Sequence, residues 1–219
     1  MVIFLSIPGC LAYLLLEVLP NQRNNRAVRA AGQAIARRID PEREVRAARE
    51  QLEIADTAAS HIALGDALAQ AGDHRTAGRH YESALARQPA ADRSTLLKLA
   101  SALLEQGEAQ RALATLERAP APGSSTAADQ QAFLRARILE AAGRREEALA
   151  LYRDVSERLA GEEALCRYAA LCLELGHRAE GRSALEKVEF KARRLSKVER
   201  AVRGEMYDWA ARTLADLRS

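Results

Sequence analysis

From residue 57 to 190 the chain repeats one ladder of small, large and glycine positions. A small residue is followed by a large one three residues on and a glycine four further. Small, large and small positions then follow at steps of five, four and three. The first copy is Gly65, Leu68, Gly72, Ala77, Tyr81, Ala84 and the second Ala100, Leu103, Gly107, Ala112, Leu116, Ala119. The third is Ala136, Leu139, Gly143, Ala148, Tyr152, Val155 and the fourth Ala169, Cys172, Gly176, Gly181, Leu185, Val188. Steps of three and four keep apolar positions on one face of a helix. The central glycines, spaced 33 to 36 residues apart, are placed to close one helix in the left-handed conformation before a second begins. A helical hairpin this short cannot bury its apolar stripe alone, so the pattern predicts a stack of hairpins, an all-α solenoid.

The flanks extend the helical reading. Asp40 and Pro41 suit an N-cap and first helical position, with Glu42 in the first turn. Val45, Leu52 and Ile54 then supply apolar contacts, predicting a capping helix over 40–56. Pro120 to Ser125 forms a loop between the second and third hairpins rather than a domain boundary, and Asp73 and Asp92 read as helix caps. Beyond residue 190 the ladder stops. Val198, Val202, Met206, Trp209 and Leu217 put one apolar face on a closing helix within 191–219, with Trp209 packing the cap.

Residues 1–20 differ in kind. Val2 to Leu19 carries a single charge, Glu17, and as a helix rises about 27 Å, close to the hydrocarbon thickness of a bilayer. Arg23, Arg26, Arg29, Arg37 and Arg38 follow within 21–39, with no acid before Asp40. The positive-inside rule then sets the N-terminus outward and the repeats in the cytoplasm. A cleaved signal peptide would start with basic residues, which are absent here. A buried soluble helix is the competing reading, belonging to a soluble assembly factor. The bare upstream flank also fits Met1 being an internal start with a further apolar helix before it. For 21–39 two readings stand: a helix on an anionic membrane surface, held by those five arginines, or a solvated connector. Gly9 to Glu17 resembles the end of a two-helix membrane module that precedes phospholipase D-type enzymes such as cardiolipin synthases. No His-x-Lys motif follows, so that chemistry is not implied.

Over 57–190 the ladder resembles the tetratricopeptide repeat, the first copy most closely through Leu64, Gly65, Leu68, Gly72, Asp73, Ala77, Tyr81, Ala84 and Pro89. Later copies lose the terminal proline, and Gly181 stands where alanine is expected. With the apolar N-terminus, the whole chain resembles a bacterial family of membrane-anchored tetratricopeptide proteins. The resemblance implies a concave groove lined by the first helix of each repeat. Ile62, Asp66, Leu97 and Ser101 would line one half. Phe133, Arg137, Glu140, Cys166, Ala170 and Glu174 would line the other. Ile62 and Asp66 replace the lysine and asparagine that clamp chaperone carboxylates. Phe133 with Leu97 would offer an apolar anchor and Arg137 a lone cation.

Composition narrows the function. Aromatic residues make up only 4% of the chain, against a β-rich fold, and none accompanies the arginines, against nucleic acid. Cys10, Cys166 and Cys172 form no disulfide framework. His61, His74, His80 and His177 show no metal-ligand spacing, and no phosphate loop or nucleophile elbow is present. The expectation is a non-enzymatic, membrane-anchored scaffold or adaptor for a protein or peptide, without cofactor, metal or small-molecule substrate. The alternative is an accessory or regulatory subunit of a membrane-envelope or lipid-metabolism enzyme.

Overall fold

The computed structural model describes residues 42–88, 92–159, 162–194 and 204–218. The expected membrane helix, the five arginines from Arg23 to Arg38, the Asp40–Pro41 helix start, Pro89, Val198 and Val202 lie outside the described residues.

Ten helices and no strand occupy the described residues. They are α1 Arg43–Ile54, α2 Ala58–Gln70, α3 His74–Arg87, α4 Arg93–Glu105 and α5 Ala109–Glu117, then α6 Ser125–Ala141, α7 Arg145–Val155, α8 Glu163–Glu174, α9 Arg178–Ala192 and α10 Gly204–Arg218. Helices α2/α3, α4/α5, α6/α7 and α8/α9 form four hairpins. Each helix packs chiefly on the next in sequence, and the main contacts that skip an element are α4 with α6 and α8 with α10. The hairpins therefore stack as a solenoid rather than gather around one centre.

Each hairpin turns on its glycine. Gly72, Gly107, Gly143 and Gly176 have φ of 77–86°, the left-handed region that a side chain resists. The residue after each glycine donates its N–H back to the helix: Asp73 to Leu68, Glu108 to Leu103, Arg144 to Leu139 and His177 to Cys172, at 2.7–2.9 Å. Each glycine N–H bonds one residue further along, completing a Schellman closure. The large residue of the first arm is thus also the acceptor that ends its helix. Second arms and following hairpins start on side-chain caps where the sequence supplies them. Asp73 accepts from the Thr76 N–H, and Asp92 from those of Ser94 and Thr95. The hydrogen bonds from Thr76 and from Thr95 lead the causes that hold these two carboxyls below the usual range.

Small residues set how closely the arms approach. Ala77, Ala100, Ala112, Ala136, Ala148 and Ala169 are fully buried. At two positions even a methyl group does not fit. A Cβ on Gly65 would stand 2.6 Å from the Tyr81 ring, and one on Gly181 2.8 Å from Leu173 and 3.2 Å from the Ala169 carbonyl oxygen. Gly181, a departure from the expected alanine, answers that closer crossing.

The ends are capped. Val45 and Ala48 of α1 join the core and Leu52 packs against it, but Ile54 is 86% exposed and makes none of the contact expected of it. Glu42 holds the N-cap position of α1, without a side-chain cap, instead of a place in its first turn. At the other end Tyr207, Ala210 and Leu214 of α10 are buried, with Met206, Trp209 and Leu217 packed alongside.

Gly65→Ala is expected to cost about 1–2 kcal/mol, the clash with Tyr81 outweighing the gain in helix propensity. Gly123→Ala, with open space around it, should leave stability unchanged. Urea denaturation of the two variants checks the pair.

Candidate functional site

The expected groove residues sit on the first arms α2, α4, α6 and α8. Ile62, Leu97, Ser101, Phe133 and Ala170 are partly buried, and Glu174 is exposed. Cys166 is only 6% exposed and belongs to the core, where burial, aided by Glu162 and Glu163, pushes its thiol up to about 12. It is not a lining residue. Leu97 and Phe133 lean on the core, and the Phe133 ring lies 5.8 Å from that of Tyr152.

The charged positions are joined to one another. Lys98 Nζ lies 2.6 Å from Asp66 Oδ2, and Arg137 Nη2 lies 2.6 Å from Glu105 Oε1. Both pairs link the first arm of one hairpin to that of the next, across 32 residues. Arg167 continues the line at 3.7 Å from Glu140, and Arg145 stands 3.8 Å from Glu174. Arg137 is therefore not a lone cation: its charge is met by Glu105, and its buried Nε has no hydrogen-bond partner. Asp66, which stands where the resemblance would place an asparagine, is likewise matched by Lys98. Partly exposed pairs of this kind contribute about 0–1 kcal/mol each, so their effect is more on register than on stability.

Tyrosines brace the same acids. Tyr81 Oη donates to Asp66 at 2.8 Å and Tyr152 Oη to Glu140 at 2.6 Å, second arm to first arm within a hairpin. Tyr168 reaches the other way to Glu180 on α9, at 2.6 Å, and Tyr207 on α10 donates to Glu162 at 2.6 Å. Every tyrosine among the described residues thus donates to a carboxylate. Burial, reinforced by the acid partner, raises the hydroxyl pKa of Tyr81 and Tyr152 well above the usual range and that of Tyr168 to about 12. They stay neutral donors, and a charge-assisted bond of this type contributes about 1.5–3 kcal/mol.

One cluster escaped the sequence reading. His61 on α2 and His80 on α3, 19 residues apart, bring their Nδ1 atoms to 2.9 Å. His61 Nε2 lies 2.9 Å from Asp56 Oδ1, and Arg87 donates to Asp56 Oδ2 at 2.6 Å. The Arg87 hydrogen bond leads the causes that hold the Asp56 carboxyl low. An ionised Asp56 only accepts, so His61 carries its proton on Nε2. The Nδ1 contact then holds one proton, and two imidazolium rings cannot share it. Burial, with His61 and Arg49 nearby, lowers the His80 pKa. Among the described residues no group of three or more His, Cys, Asp or Glu is arranged to hold a metal ion. Nor is any described helix long and apolar enough to cross a membrane.

Stacked helical hairpins with left-handed glycine turns and braced first arms make the described residues an α-solenoid. The tetratricopeptide repeat family model matches residues 68–138. Among solved structures, the fold is similar to a crystal structure of MamA, at 21% identity and a TM-score of 0.56, covering 68% of this chain and 89% of that one. MamA from residue 41 to its end, from Desulfovibrio magneticus RS-1, is similar at 17% identity and a TM-score of 0.59, covering 79% and 99%. No curated protein matches the sequence.

His80 has a lower pKa folded than unfolded, so the unfolded chain binds more protons below its ordinary value near 6.5. Its contribution is complete above that value and falls away as the pH drops through it. Wild type should lose stability between about pH 7 and pH 5, and His80→Gln should lose less. Urea midpoints across that range measure the difference.

Proposed function

We propose that this protein is a scaffold that holds a protein or peptide partner along the concave face of its repeats. The observation that carries the reading is the ion-pair line from Asp66–Lys98 through Glu105–Arg137 to Glu140–Arg167. It spaces the first arms and spends their charges on each other. Recognition then falls to the partly exposed Ile62, Leu97, Ser101, Phe133 and Ala170 between the charged positions. A groove of this composition suits an apolar segment better than a charged terminus, because a free carboxylate would have to displace an existing partner.

The same proposal places the scaffold on a membrane. Residues 1–20 are apolar enough to anchor it at a bacterial inner membrane, and Arg23, Arg26, Arg29, Arg37 and Arg38 favour the cytoplasmic side for the repeats. Tethering raises the local concentration of whatever is recruited there.

A photo-crosslinker at Ser101 in the full chain, activated in intact membranes, tests the groove. One partner should be captured, and Leu97→Ala with Phe133→Ala should cut its recovery at least about fivefold. Unchanged recovery would remove the groove from the proposal. Extraction tests the anchor: the chain should stay in the membrane pellet until detergent is added, and release by salt alone would refute it.

A further inference from the structure

Away from the charged positions of the first arms, the second arms α3 and α5 flank two open clefts of about 450 and 310 Å³. Glu82 and Arg111 line both, so the two form one continuous furrow. Its lining is more polar than apolar, the apolar part coming from Leu85, Ala86 and Ala114, with the buried Leu99 and Leu103 of α4 beneath. Gly78 keeps the floor low: a methyl group there would come within 3.2 Å of Gln106 Nε2. Ala86 and Ala114 leave the walls short.

The charge in this furrow is unbalanced. Arg75, Arg79, Arg111 and Arg118 face Glu82 and Glu108. Arg111 takes up both acids, pairing with Glu108 and lying 3.2 Å from Glu82. Arg75, Arg79 and Arg118 have no ion pair among the described residues. The furrow between α7 and α9 shows what a closed version looks like. Its cavity of about 330 Å³ is lined by Arg153 and Lys187. There Glu180 meets Arg153 at 2.7 Å and Glu157 pairs with Lys187. The two furrows occupy corresponding places along the solenoid, and only the first leaves guanidinium groups, those of Arg75, Arg118 and an Arg79 drawn only to Asp73, without an ion pair.

We infer that the α3–α5 furrow docks an acidic, leucine-bearing segment of a partner protein, on a surface separate from the concave groove. Guanidinium groups pair carboxylates in two-pronged fashion and keep their charge at any physiological pH. Leu85, Ala86 and Ala114 between them offer the contact for aliphatic side chains. The chain's own first 41 residues are a poor occupant, since five arginines there stand against Glu17 and Asp40. The inference does not depend on the groove being occupied.

The test is fluorescence anisotropy of the full chain in detergent with a labelled helical peptide of Leu, Ala and Glu. The peptide should bind. Arg75→Glu, Arg79→Glu and Arg118→Glu together should weaken it by at least about tenfold, while the same charge change at Arg43, Arg178 and Arg212 should weaken it less than about threefold. Ala114→Phe, which fills the furrow without altering charge, should also weaken it and carries the test should the triple variant fail to fold. Peptides with Gln for Glu, or with Ala for Leu, should bind more weakly. Failure of the first peptide to bind, equal loss in the two triple variants, or equal binding of either control peptide would overturn the inference.

Discussion

Backbone approach inside each hairpin is the constraint from which the rest of the molecule follows. The arms come together only as far as the residue at the crossing permits, and at Gly65 and Gly181 not even a methyl group is permitted. That distance decides whether Tyr81 can lie flat against α2 and still reach Asp66. It also sets the reach available to Tyr152 and Tyr168, whose hydroxyls would otherwise be buried without an acceptor. Small crossings, large ring and carboxylate acceptor form one unit, repeated with variations along the solenoid.

The unit has an electrostatic consequence for the first arms. A carboxylate that accepts from a buried tyrosine is fixed in position, and a fixed carboxylate is a good place to hold the next hairpin's cation. Asp66 with Lys98 and Glu140 with Arg167 follow that scheme, and Glu105 with Arg137 follows it without a tyrosine. The face is rich in charge but nearly self-neutralised, and what remains between the pairs is mostly apolar.

Much of the fold was legible because its signals are local. A left-handed turn demands glycine, and glycine at Gly72, Gly107, Gly143 and Gly176 declares the hairpins outright. The partners of Asp66 and Arg137 were less legible. Lys98 and Glu105 are ordinary helix-surface residues until the stack brings adjacent first arms together, although their common offset of 32 residues was a usable signal. The His61–His80 contact follows no helical spacing at all and depends on how α2 crosses α3. Ile54 misled because it is apolar, yet it stands two residues past Leu52 and half a turn around α1 from Val45, on the side facing away from the core. Cys166 shows the opposite error: a groove position by analogy, yet rotated far enough inward to be core.

Tyr207 reaches from the final helix to Glu162, just ahead of α8. The last helix is therefore a latch on the hairpin before it, not merely a lid on an open end. Because contacts run mainly between neighbours, strain applied to the C-terminus would peel the stack in order, α10 first and the α8/α9 hairpin after it. The opposite end would keep its packing until the loss had travelled the length of the rod.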